Sequence, residues 1–79
     1  MASAPSTRVV LYHSQGCSLC DRARSVLDAV GVEYESVDIA GVPELEAGYR
    51  EWLPVVEIDG ARAFVYFVDE AALRRRLGR

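Results

Sequence analysis

Lysine is absent from this chain: all nine of its basic residues are arginine. That bias carries no functional reading, but the balance of charge does. Twelve acidic residues leave a net charge of −3, which argues against nucleic acid as an obligate partner. Long apolar runs are missing too. The first seven residues, Met1 to Thr7, are small and polar, without the apolar segment of a signal peptide or a membrane anchor. Residues 1–7 are therefore expected to form a flexible tail, with no membrane partner and the cytoplasm as the default location. No repeat, linker or low-complexity stretch divides the remainder, so residues 8–79 read as one domain near the small end of what buries a self-sufficient core. Histidine occurs once and cysteine twice. These supply at most three ligands where a structural zinc site needs four. A metal would need a second chain, and no metal or other cofactor is expected.

What is present is a pair, Cys17-Ser18-Leu19-Cys20, placed where an apolar strand gives way to a helical pattern. If Cys17 caps a helix and Cys20 lies in its first turn, positions i and i+3 share a face and their sulfurs can close a very small disulfide ring. A bridge over two intervening residues removes little chain entropy, so stabilisation is a poor reason to have it. In a reducing cytosol, paired cysteines are usually catalytic or metal-binding. A thiol at a helix N-terminus feels the positive end of the helix dipole and unpaired N–H groups, which favour thiolate. Cys17 is thus the better nucleophile, and Cys20, deeper in the helix, would resolve the mixed disulfide formed with a substrate.

Along the chain, Arg8 to His13 is a continuous apolar run suited to a central strand buried on both faces. Ser14-Gln15-Gly16 turns the chain, and Ala23, Val26, Leu27 and Val30 recur at helical spacing, predicting a helix over about 18–30 that Gly31 stops. Val32 to Ile39 alternates loosely, as a strand nearer an edge does. Pro43 suits the first position of a short second helix, with Val42, Leu45, Tyr49 and Trp52 expected as its buried stripe and Gly48 as a weak point. Leu53 to Ile58 and Ala61 to Tyr66 read as antiparallel strands joined at Asp59-Gly60. Asp69 caps a last helix reaching about Leu77, with Leu73 and Leu77 facing inward and Gly78 ending it. The run Arg74-Arg75-Arg76 falls in its last turns, where cations suit the dipole.

This order, βαβαββα with Cys-x-x-Cys after the first strand, resembles the thioredoxin fold in its smallest, glutaredoxin-like form: an α/β domain with a four-stranded mixed sheet flanked by three helices. The resemblance runs from about Arg8 to Leu77 and is closest to short glutaredoxin-like proteins of bacteria whose motif reads Cys-x-Leu-Cys. It implies that Pro54, in Leu53-Pro54-Val55, is the cis proline that the family places beside its cysteines. It also implies that Leu53 and Pro54 bind the backbone of an extended substrate while Cys17 attacks its sulfur. An X-Pro bond adopts cis at small cost, and a proline opening a strand removes an N–H that would need a partner.

Two departures from the family pattern bear on the substrate. Where glutathione-using glutaredoxins carry threonine two residues before the cis proline, this chain has Trp52. Where they carry a Gly-Gly pair before the last helix, it has the bulky run Val65-Tyr66-Phe67-Val68. Asp69 remains, and a capping role explains it. The dipeptide Ser18-Leu19 also replaces the Pro-Tyr of common glutaredoxins, so a reduction potential does not carry over. Leu19, on the first turn between the thiols, reads as an apolar contact for a substrate or as packing. Tyr12 is expected in the core, and Trp52 either in the core or lining a substrate groove beside Pro54. His13 is expected at the surface or in a hydrogen bond, and Arg22 and Arg24, offset by Asp21, on a solvated helix face.

The chain therefore reads as a glutaredoxin-like thiol-disulfide oxidoreductase serving cell redox homeostasis. Its site is Cys17 and Cys20 with Leu19, Leu53 and Pro54 binding substrate. Its partners would be a disulfide-containing protein or small molecule and a reductase or other thiol donor. Two alternatives remain at this point: a carrier holding a metal or iron-sulfur cluster between two copies, and a redox-inert interaction domain on the same scaffold.

Overall fold

The computed structural model describes residues 7–78. The expected tail, except for Thr7, lies outside them. Strand β1, Val9–His13, holds the centre. It pairs in parallel with β2, Glu35–Asp38, and antiparallel with β3, Val55–Ile58, which pairs antiparallel with β4, Ala61–Val65. The sheet order is β2-β1-β3-β4. Parallel neighbours need a crossover, and the helix α1, Ser18–Val30, supplies it. Helix α2, Pro43–Tyr49, and a 3-10 turn, Arg50–Trp52, link β2 to β3, and α3, Glu70–Leu77, ends the fold. This is the thioredoxin-like arrangement of four mixed strands and three helices in an open sheet.

Side chains alternate across a strand, and the alternation of β1 divides the molecule into layers. Val9 and Leu11 face α1 and α3, where they join Ala23, Leu27, Val30, Val32, Val56, Ile58, Val68 and Leu73 in one buried cluster. Leu77 and Phe64 pack against that cluster. Tyr12 points to the opposite face, where its ring stacks on Tyr49 of α2 at 4.1 Å between centroids. It is half-buried there, and the expectation that it joins the core is corrected.

The stripe expected on the second helix is corrected as well. No residue of α2 is fully buried, and Val42 and Trp52 are exposed at 39% and 42%. The physical reason is length. The α-helix covers only seven residues, Val42 is its N-cap and Trp52 belongs to the 3-10 turn, so the 3.6-residue period that would align the four positions is broken at both ends.

Local signals set the remaining boundaries. Gly31, at φ +81°, ends α1 in the left-handed conformation and donates its N–H to Leu27 and Asp28 carbonyls. The turn between β3 and β4 places Asp59 and Gly60 at φ +52° and +84°. Two consecutive positive φ values are what a tight two-residue hairpin requires. Asp59 also anchors the start of β1, its N–H donating to the Arg8 carbonyl at 2.8 Å and its carboxylate accepting the Arg8 N–H at 2.9 Å.

Candidate functional site

Register alone gathers the site. Tyr12 lies opposite Val55 and His13 opposite Asp38, while Val55 lies opposite Val65. The C-terminal end of β1, the start of β3, the end of β4 and the end of β2 therefore share one edge of the sheet. From that edge the chain runs through Ser14 to Cys17 into α1. Leu53-Pro54 enters β3 there, and Tyr66-Phe67 leaves β4 there.

Cys17 is the N-cap of α1, with extended backbone at φ −102° and ψ 104°. Its Sγ accepts the Cys20 N–H at 3.1 Å, and its carbonyl accepts the Asp21 N–H at 3.2 Å. A sulfur that takes a helix-terminal N–H sits where negative charge is stabilised by the unpaired donors and the dipole of the first turn. Cys17 and Cys20 are joined in a disulfide, their Cα atoms 5.2 Å apart. Cys17 is half-exposed while Cys20 is 2% exposed. The two sulfurs therefore differ in access: an incoming group reaches Cys17 first.

Leu19 is 40% exposed on the first turn between them. Pro54 is buried, Leu53 half-buried, and the peptide bond joining them is cis. The Pro54 carbonyl accepts the Tyr66 N–H at 2.9 Å. His13 is half-buried at the strand end, and its carbonyl accepts the Ile39 N–H at 3.0 Å. Arg24 donates to Ser36 Oγ at 3.2 Å. Asp69 caps α3 by accepting the N–H groups of Ala71 and Ala72. Among the described residues, no three His, Cys, Asp or Glu side chains are grouped to hold a metal ion. No helix among them is long and apolar enough to cross a membrane.

Against known families, residues 8–78 match the model of the glutaredoxin-like domain (DUF836). The chain belongs to this family. A solved structure of the glutaredoxin-like chain's relative XcR50, from X. campestris, is 31% identical over 89% of this chain and 95% of that one, with a TM-score of 0.78. Protein Ne2328 from Nitrosomonas europaea is 22% identical over 96% of both chains, with a TM-score of 0.79. NrdH-redoxin from Escherichia coli, a glutaredoxin-like protein described as having a thioredoxin-like activity profile, is 21% identical over 86% of this chain and 92% of that one, at a TM-score of 0.68. The last two likenesses are of fold. No curated protein matches the chain. The glutaredoxin-like chain thus has a thiol-oxidoreductase fold with the Cys17-Cys20 pair at the start of α1.

Two features, one at the site and one in the sheet behind it, escaped the sequence. Tyr66 has a positive φ of +70°, which nothing in its neighbours foretells. Glu57 sits in β3, inside the sheet, accepting the hydroxyls of Tyr49 at 2.5 Å and Tyr12 at 3.4 Å. That second feature had a signal: a carboxylate within an interior strand must find donors or stay unburied.

Proposed function

We propose that this glutaredoxin-like domain is a dithiol-disulfide oxidoreductase that reduces protein or small-molecule disulfides. The observation that carries the reading is the asymmetry of the pair: Cys17, half-exposed, takes a helix-terminal N–H on its sulfur, while Cys20 is buried behind it. The Cys17 thiolate attacks one sulfur of the substrate, forming a mixed disulfide and releasing the other sulfur as a thiolate that takes up a proton. The Cys20 thiolate then attacks Cys17 Sγ, releases the second substrate thiol and leaves the protein as the Cys17-Cys20 disulfide. Two electrons from a dithiol or a flavoprotein reductase return it to the dithiol. Leu53 and Pro54 would present the substrate, Leu19 would touch it, and a reducing compartment such as the cytoplasm suits the cycle.

Trapping tests the roles. Cys20→Ser should accumulate a mixed disulfide through Cys17, whereas Cys17→Ser should trap nothing comparable. If both single variants reduce a disulfide as fast as the parent, the assignment is wrong.

Glutathione is expected to be a poor donor. Small residues let backbone N–H groups approach a peptide ligand, and Tyr66 and Phe67 stand where such residues would be needed. No lysine is available to pair with its carboxylates, so an arginine such as Arg22 would have to supply that charge. Stopped-flow reduction of the oxidised protein should be faster with a thioredoxin-reductase-type flavoprotein or a dithiol than with glutathione. Fast, saturable reduction at micromolar glutathione would overturn this.

A further inference from the structure

Tyr66 occupies a backbone conformation that its side chain opposes. At φ +70° it is one of two described non-glycine residues with positive φ. The other, Asp59, lies in a tight hairpin turn, where a short polar side chain tolerates the conformation. Tyrosine has no such excuse. The Phe67 N–H closes a three-residue turn onto the Val65 carbonyl at 2.8 Å, and a turn of this kind about a residue with positive φ is the rare, strained hand. The Tyr66 N–H is shared between the carbonyls of Pro54 at 2.9 Å and Trp52 at 3.3 Å. Its ring lies 6.0 Å from that of Trp52. Burial does not repay the strain, because Tyr66 remains 42% exposed and Phe67 67%.

Strain kept without burial, at the sheet edge that carries the disulfide, points to recognition. The bonding pattern says of what kind. Both N–H groups of Tyr66-Phe67 are spent on the protein's own carbonyls, so this segment offers an incoming peptide no backbone donor for a carboxylate. It offers two exposed aromatic side chains, Tyr66 beside the 42% exposed Trp52 and Phe67 next to it in sequence, and Leu19 contributes a further apolar side chain at the same edge.

We propose that Tyr66 is a specificity-determining residue which, resting on the redox reading above, selects protein disulfides whose cysteine is flanked by apolar side chains over disulfides whose cysteine is flanked by carboxylates. The substrate class is an extended protein segment, its sulfur delivered to Cys17 and its apolar neighbours laid against Tyr66 and Trp52.

The experiment uses pre-reduced protein in single turnover with two homodimeric disulfide peptides, alike except that leucine and phenylalanine flank the cysteine in one and aspartate and glutamate in the other. Release of peptide thiol is followed by quench and chromatography. The parent should prefer the apolar peptide by about tenfold through its half-saturating concentration, the scale on which apolar contacts discriminate. Tyr66→Gly, whose backbone suits positive φ, should narrow the preference to about twofold through a higher half-saturating concentration for the apolar peptide. Tyr66→Phe should keep it. Circular dichroism establishes that each variant is folded. Equal rates on both peptides by the parent, or an undiminished preference in Tyr66→Gly, overturn this proposal alone. Failure of the parent to reduce either peptide, or any other disulfide, overturns the redox reading and this proposal with it.

Discussion

Glu57 shows how one residue can hold an element in place. It lies within an interior strand and is half-buried, so its carboxylate needs donors, and the hydroxyls of Tyr49 and Tyr12 supply them. Arg62, its partner in register on β4, lies 5.0 Å over the Tyr49 ring and donates to the Gly48 carbonyl. The hydrogen bond to Glu57, and after it burial, hold the Tyr49 phenol well above its ordinary pKa of 10.0. Ionising it would set two negative charges against each other. The sign follows from linkage. The unfolded chain releases this proton near pH 10 and the folded chain only higher, so the stabilisation is complete below pH 10 and is lost as pH rises above it. Tyr34, raised chiefly by burial and then by Asp28, adds in the same direction. Urea unfolding between pH 8 and 11 should therefore show stability falling at the alkaline end, with a shallower fall in Tyr49→Phe. An unchanged slope in that variant would refute the account. At neutral pH the same substitution should cost about 1.5–3 kcal/mol, as loss of a hydrogen bond to a charged acceptor does.

Among the elements, α1 and α2 are opposites. Helix α1 has a capping side chain at Cys17, four buried positions and a glycine stop, and its predicted bounds match those observed, 18–30. Each of those signals is local, which is why the sequence carried them. Helix α2 has no capping side chain and no fully buried residue. It is held by the Tyr12-Tyr49 stack, the bond from Tyr49 to Glu57 and the Arg62 contact to its last turn. Periodicity reported that Val42, Leu45, Tyr49 and Trp52 were apolar, but it carried no information on whether a neighbour existed to bury them against. Two of the four instead lie exposed. Weak attachment makes two predictions. Amides of α2 should exchange with solvent well before those of α1 and β1. Gly48→Ala should raise stability by about 0.5–1 kcal/mol, since glycine inside a helix costs that much and an added Cβ meets nothing within 4 Å. A loss of stability in that variant, measured by denaturant unfolding, would mean that α2 is not a simple helix at this position.

At the scale of the whole molecule, the core and the site lie in separate places, and the disulfide belongs to the second. The buried cluster joins β1, β3, α1 and α3 on one face of the sheet, whereas Cys17 and Cys20 sit at the edge where the loops converge. This division explains what the sequence told and withheld. The core and the cysteine pair were legible because each rests on spacing within one segment. Tyr66 against Trp52, and Glu57 between two tyrosines, arise where segments far apart in sequence meet. The same division fixes how the fold should answer to reduction. Opening a ring that spans only residues 17–20 returns to the unfolded chain an entropy worth about 2 kcal/mol. Truncating Leu27, fully buried in the cluster, should cost about 2–5 kcal/mol. The reduced form should therefore stay folded, with a urea midpoint only modestly below that of the oxidised form and close to that of a Cys17→Ser/Cys20→Ser variant. Leu27→Ala should lower the midpoint by as much or more in either redox state. The proposed redox cycle requires this ordering, because a dithiol form that is to attack a substrate must keep the sheet edge assembled. Unfolding of the protein on reduction in the absence of denaturant would show that the disulfide serves the fold and would count against its use as a reversible couple.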